Sequence, residues 1–162
     1  MESEKGSEEV SCVFERRTRC NFWVAPKFCI GDKVELDEVC SFHGLLVAPF
    51  PPFILAVPIP YSFDHDGDNI GSSGGFSFVI KENNLEPELK WIIAWKNGPC
   101  NDNKVYTNIL PLSEHVHWDQ IEKDLESEKS GSESCCNRSG IKAEACIETG
   151  VKTTMTAKLK KL

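Results

Sequence analysis

The residues of this chain that carry chemically useful groups fall in four short stretches. Asp64-His65-Asp66-Gly67-Asp68-Asn69 sets oxygen ligands at alternate positions, as a hard cation such as calcium requires. The glycine is misplaced for an EF-hand, and position 75 holds Gly where a bidentate Glu belongs, so the stretch reads as a solvated loop. His115-Val116-His117-Trp118-Asp119 offers two imidazoles and a carboxylate, ligands that zinc uses. No further His or Cys follows at a familiar spacing. The plainer reading is a polar approach to a helix, with Asp119 favourable in its first turn. Cys40 and His43 are close enough in sequence to suggest a thiolate activated by an imidazole, but an offset of three along a strand points the two side chains apart. Gly71-Ser72-Ser73-Gly74-Gly75 lacks the lysine and the following helix of a phosphate loop and reads as a flexible turn. No paired acid and base stands out. The expectation is a protein without catalytic residues, metal or cofactor.

The elements that would position these residues are mostly strands. Phe22-Trp23-Val24 is a β-rich run stopped by Pro26, and Val34, Leu36 and Val39 alternate after a Gly31-Asp32 turn. Phe76, Phe78 and Ile80 alternate again. In the run 89–96, Leu89, Trp91, Ile93 and Trp95 share one face because side chains alternate with period two. Residues 105–109 make another strand. Trp118, Ile121 and Leu125 fall at helical spacing, which predicts one short helix over 117–127. Residues 127–140 read as a Ser/Gly/Glu loop. Two alternating runs, Ile141 to Ile147 and Val151 to Leu159, predict a C-terminal hairpin turned at Thr149-Gly150. Many short strands and one helix predict a mainly β fold, an antiparallel β-sandwich.

The chain has 162 residues and a net charge of −7. That length suits one domain able to bury roughly two-thirds of its unfolded surface. The division expected is an acidic disordered tail over residues 1–10 and a single sandwich domain over 11–162. Residues 1–10 carry −3 and residues 119–133 carry −4, so the remaining sequence balances. A nucleic-acid grip is disfavoured, since phosphate binding needs a basic face. Eight cysteines invite a disulfide framework. The N-terminus lacks the apolar core of a secretory signal, however, so free thiols in the reducing cytoplasm are expected. Vicinal Cys135-Cys136 offers a redox-sensitive pair, and Asn137-Arg138-Ser139 fits a glycosylation sequon that is idle outside the secretory path.

The most apolar stretch runs from Leu45 to Tyr61 with no charge. Pro49, Pro51, Pro52, Pro58 and Pro60 forbid a spanning helix and predict extended chain. Trp91 and Trp95 read as core. Trp23, Phe50, Phe53, Tyr61 and Phe63 fall in or near proline- and turn-rich segments where rings are left exposed, which marks them as candidate ligand-binding residues. The plainer alternative is that this segment covers the open end of the sandwich.

Trp91-Ile92-Ile93-Ala94-Trp95, followed by Asn103-Lys104-Val105-Tyr106-Thr107-Asn108-Ile109, resembles the core of the plant 23 kDa jasmonate-induced protein group. His117-Trp118-Asp119-Gln120-Ile121-Glu122-Lys123 is similar to that group's helix start. Gly31-Asp32-Lys33-Val34-Glu35-Leu36, His43-Gly44 and Gly75-Phe76-Ser77-Phe78 are similar to its strands. The resemblance covers roughly residues 29–149. The N-terminal region and the proline-rich insertion between Gly44 and Gly75 depart from it. It implies a stress- or defence-related protein, raised by jasmonate, without an established enzymatic activity. At one further remove it implies the β-sandwich of actinoporin-like, Nakanori-type lipid-binding proteins.

Together these readings predict a non-enzymatic β-sandwich that binds an unknown protein or small ligand. The alternative is a binder of membrane lipid (sphingolipid or sterol) or glycan. A third reading is a thiol or metal enzyme using Cys40, His43, His115 or His117.

Overall fold

The computed structural model describes residues 16–25, 33–47, 53–55, 61–80, 88–98 and 102–162. The expected acidic tail, Phe50, Cys12, Cys29, Cys100 and most of the proline-rich stretch lie outside the described residues.

Alternating apolar side chains build two layers. The first is a six-stranded sheet in the order β3 (Leu45–Val47), β5 (Tyr61–Asp66), β1 (Arg17–Val24), β11 (Lys152–Lys161), β10 (Ile141–Ile147) and β9 (Glu133–Arg138). The second has five strands in the order β4 (Phe53–Leu55), β2 (Lys33–His43), β6 (Ser72–Ile80), β7 (Leu89–Asn97) and β8 (Lys104–Pro111). Among the described residues there is one helix, α1 (Trp118–Glu126), on the outer face of the second sheet. This is the expected mainly β sandwich with its helix near 117–127. The first sheet is mixed, however: β1 pairs parallel with β11, Arg17 opposite Lys152 through Val24 opposite Leu159. Alternation reports which face a side chain takes and is silent on strand direction.

The inner faces meet in an aromatic core. Phe22 stacks on Phe63 with ring centroids 5.2 Å apart and meets Phe76, Phe78 and Trp91 edge-on. Leu89, Trp91, Ile93 and Trp95 are all buried within it, on one face of β7 as their spacing requires. Such ring pairs add about 0.5–1.5 kcal/mol each beyond the area they bury. The Trp91 indole donates to Thr107 Oγ1 at 2.9 Å, and the Thr107 hydroxyl donates to the Ile92 carbonyl, so neither polar group is stranded in the core.

On the other side of β7, Ile92 and Ala94 face outward and are roofed by α1 through Ile121 and Leu125. Of the glycines expected to form a flexible turn, Gly74 and Gly75 are strand residues of β6 instead. Gly74 faces inward, where a Cβ would lie 3.1 Å from the Trp95 ring and 2.6 Å from the Cys40 carbonyl; a Cβ on Gly75, facing outward, would collide with the Trp118 ring. These glycines are there to let two indoles approach the sheet. The expected loop over 127–140 likewise contains β9, an edge strand that buries nothing fully.

Candidate functional site

The acidic stretch at 64–69 is not a cation loop. Asp64 and Asp66 sit on β5 and point outward to Arg19 and Arg17 of β1, at 3.2 and 2.6 Å. Asp68 caps the following turn, accepting from the backbone N–H groups of Ile70 and Gly71. Burial works against its charge, but those two bonds and the nearby His43 outweigh burial and hold the carboxyl below its ordinary range.

His65 points inward and is fully buried. Its Nδ1 meets Ser72 Oγ at 2.7 Å and its Nε2 meets Ser41 Oγ at 2.9 Å; Ser72 in turn meets Thr18 Oγ1 at 2.9 Å. Burial pushes its pKa down to about 4, against the pull of Asp66 and Asp68. A serine beside a neutral histidine is the start of an acyl-transfer pair. Here, though, the Ser41 hydroxyl also donates to the Gly44 carbonyl at 2.7 Å, and the third partner is a hydroxyl where a carboxylate would orient the imidazole. The network bridges the two sheets and closes one end of the sandwich.

Cys40 and His43 do not pair. His43 lies between Asp68 (3.4 Å) and Glu122 (3.9 Å). Burial, followed by Glu122, Asp119 and Glu38, raises the Cys40 thiol pKa, the reverse of what a nucleophile needs. Beside His43 is a cleft of about 180 Å³, floored by Phe42, Ile70 and Leu125. His115 and His117 are exposed with rings 5.2 Å apart, while Val116 between them is buried. Among the described residues no three ligand groups converge as a metal site. Cys20, Cys40, Cys135, Cys136 and Cys146 are free thiols. Cys135 and Cys136 face opposite sides of β9, with Cys136 donating to Asn108 Oδ1, so they are not a vicinal pair in space.

The aromatic candidates divide. Phe63 is a core residue, 8% exposed, and the expectation of an open ring fails for it because it alternates in phase with buried His65. Phe53 is half-buried on β4. Tyr61 is 41% exposed at the start of β5. Trp23, half-buried, lies on the outer face of the six-stranded sheet with Lys158 Nζ 4.8 Å from its ring centre. Trp23, Phe53 and Tyr61 all sit at one end of the sandwich, since Phe22 pairs with Tyr61 and Glu35 with Phe53 near the same ends of their sheets. No helix among the described residues is long and apolar enough to cross a membrane.

Beyond Trp23 the outer face of β11, β10 and β9 is polar, and none of the described residues covers it. Lys142 Nζ lies 2.8 Å and Lys160 Nζ 3.4 Å from the same Glu144 Oε1. The hydrogen bond from Lys142 and the positive charges beside it hold the Glu144 carboxyl low despite some burial. An open groove of about 610 Å³ runs along Cys135, Cys146, Thr156 and Lys158. Sequence reading missed this face. Its signal was the alternation Lys158-x-Lys160 in antiphase with Ala157 and Leu159.

Two facing antiparallel-rich sheets with one helix on an outer face define a β-sandwich of a recognisable architecture. The chain superimposes on the lipid-binding protein Nakanori over 98% of its own length and 79% of that chain, with a TM-score of 0.73 and 14% identity. It also superimposes on the Xerocomus chrysenteron lectin XCL, over 89% of its length and 97% of that chain, with a TM-score of 0.53 and 10% identity. At such identities the likeness is one of fold. No protein-family model matches the sequence, and a comparison with curated proteins finds no match.

Proposed function

We propose that this protein is a non-enzymatic β-sandwich that binds the polar surface of a membrane lipid. The observation that carries this reading is the end of the sandwich bearing half-buried Trp23 under Lys158 and exposed Tyr61. Amphipathic rings of this kind settle at the boundary between headgroups and acyl chains, one edge dry and one wet. The fold shared with a lipid-binding protein supports the reading, and the one shared with a lectin supports a glycan as the second choice. The resemblance to jasmonate-induced proteins supports a setting in stress or defence, which a rise of the transcript after jasmonate treatment would bear out.

The test is co-sedimentation with vesicles containing sphingolipid and sterol. Binding is expected, weakened at least about tenfold by Trp23→Ala or Tyr61→Ala, as loss of an interfacial ring predicts. Binding to immobilised glycans with none to vesicles would move the conclusion to the lectin reading. Binding to neither would end both.

A further inference from the structure

The lipid reading leaves the headgroup open. The molecule's charge distribution narrows it, and the inference rests on that reading. Two runs, residues 1–10 and 119–133, account for the whole net charge of −7. The second run includes α1, whose Asp119, Glu122, Asp124 and Glu126 face Lys123 alone on the same helix. That helix covers the outer face of the five-stranded sheet.

The opposite side of the sandwich differs. Pairing of Trp23 with Lys158, of Lys158 with Glu144, and of Lys160 with Lys142 sets these side chains in two adjacent rows on one outer face. The Leu162 backbone N–H donates to the Gly140 carbonyl at the neighbouring turn, which brings the end of β11 to the same corner. Lys142, Lys158 and Lys160 therefore gather beside Trp23 with Glu144 as the carboxylate among them. Leu162, 71% exposed, lies at the rim. An acidic protein thus carries a basic corner on the face away from its acidic helix, with an aromatic ring in it.

We propose that this corner docks on anionic phospholipid. The geometry suits a surface of phosphates. The indole and Leu162 supply a shallow apolar wedge, and the lysine stems reach past them with their ammonium groups in the headgroup layer. The acidic helix on the far side would be repelled by the same surface, so the charge distribution also sets the orientation. A neutral headgroup or sugar makes no use of three cations clustered beside a ring. Each cation near an anionic bilayer is worth about fivefold in affinity, and the effect fades beyond the screening length.

The experiment uses the full chain and two vesicle sets, phosphatidylcholine with sterol, and the same with about one-third phosphatidylserine, each at about 0.05 and 0.5 M salt. At low salt the anionic vesicles should bind at least about tenfold more tightly, and the advantage should collapse at high salt. Lys142→Glu with Lys160→Glu should cost at least about thirtyfold on anionic vesicles and leave the neutral ones nearly unchanged. Lys123→Glu on α1 should do nothing comparable. If the double reversal unfolds the protein, Lys142→Gln with Lys160→Gln gives the milder version of the same loss. Equal binding to both vesicle sets would overturn the proposal and leave the lipid reading standing. Binding to neither would overturn this proposal, and the sphingolipid vesicles would then decide the lipid reading alone. Heparin binding as tight as vesicle binding and indifferent to Trp23→Ala would also overturn it, since the corner would then be a general polyanion surface.

Discussion

Two indoles stand on the outer faces of this sandwich, both half-buried, in contrasting company. Trp118 belongs to the apolar cluster that roofs the five-stranded sheet. It lies over Gly75, 6.5 Å from the Phe42 ring, with its Nε1 donating to Glu38 Oε2 at 2.7 Å. Trp23 lies on the six-stranded sheet among lysines, touched by an ammonium group. The first is placed where sheet, glycine and helix converge. The second is placed where its own strand happens to lie beside β11. A ring that other parts of the fold are shaped around is there for stability, and one with none of this is available to a partner.

The largest expected effect breaks the roof. Trp118→Ala removes the ring that fills the space above Gly75 and leaves Glu38 without its donor. Large aromatic truncations cost about 3–5 kcal/mol when fully buried, and about 3 kcal/mol is expected at this half-buried position. Urea unfolding measures it, and a loss below about 1 kcal/mol would show that α1 lies loosely on the sheet. Gly75→Val should approach the same cost from the other side, about 2–3 kcal/mol, by forcing the Trp118 ring off the strand.

The next effect concerns the closed end. His65 is neutral in the folded state with a pKa of about 4, against an ordinary value of 6.5. The unfolded chain binds a proton there below pH 6.5 and the folded chain does not. Stability is therefore complete above about pH 6.5 and falls as pH drops toward 4, by up to about 3 kcal/mol. Asp68 and Glu144, whose carboxyls are held low, add their own losses only below their ordinary values near 4, so the slope between pH 5 and 6.5 belongs to the histidine. His65→Gln should flatten that slope in urea titrations across the window. A slope that survives the substitution would assign it elsewhere.

The same contrast explains what could be read before the fold was known. Alternation announced β7 and the C-terminal hairpin, because their apolar faces meet a full layer of core. Spacing of Trp118, Ile121 and Leu125 announced α1, because one stripe of it is buried. The partly hidden elements escaped. β9 buries one side only in part, so Ser134 and Cys136 left no apolar signal. Residues 72–75 read as a turn because glycine has no side chain with which to declare a face. Its role appears only when Trp95 and Trp118, distant in sequence, are seen to need the room. The inward pair Phe63 and His65 was present as an alternation but was masked by Asp64 and Asp66, the acids beside them. The basic corner was half-legible: Lys158 and Lys160 alternate with Ala157 and Leu159, but the parallel pairing that brings Trp23 beside them joins segments more than 130 residues apart and follows from no local pattern.

The smallest expected effect is the sharpest test of the contrast. Trp23→Ala removes as large a ring as Trp118→Ala. It leaves the core untouched, since Phe22 and Val24 on the same strand face inward and keep their partners. What is lost is the contact with the Lys158 ammonium, worth about 0.5–1 kcal/mol at an exposed position, together with some cover of neighbouring side chains. Thermal and urea unfolding should shift by about 1 kcal/mol or less, while vesicle binding falls by at least about tenfold. A stability loss as large as that of Trp118→Ala would make Trp23 a structural ring. The two outer faces would then differ in charge alone, with no difference in purpose.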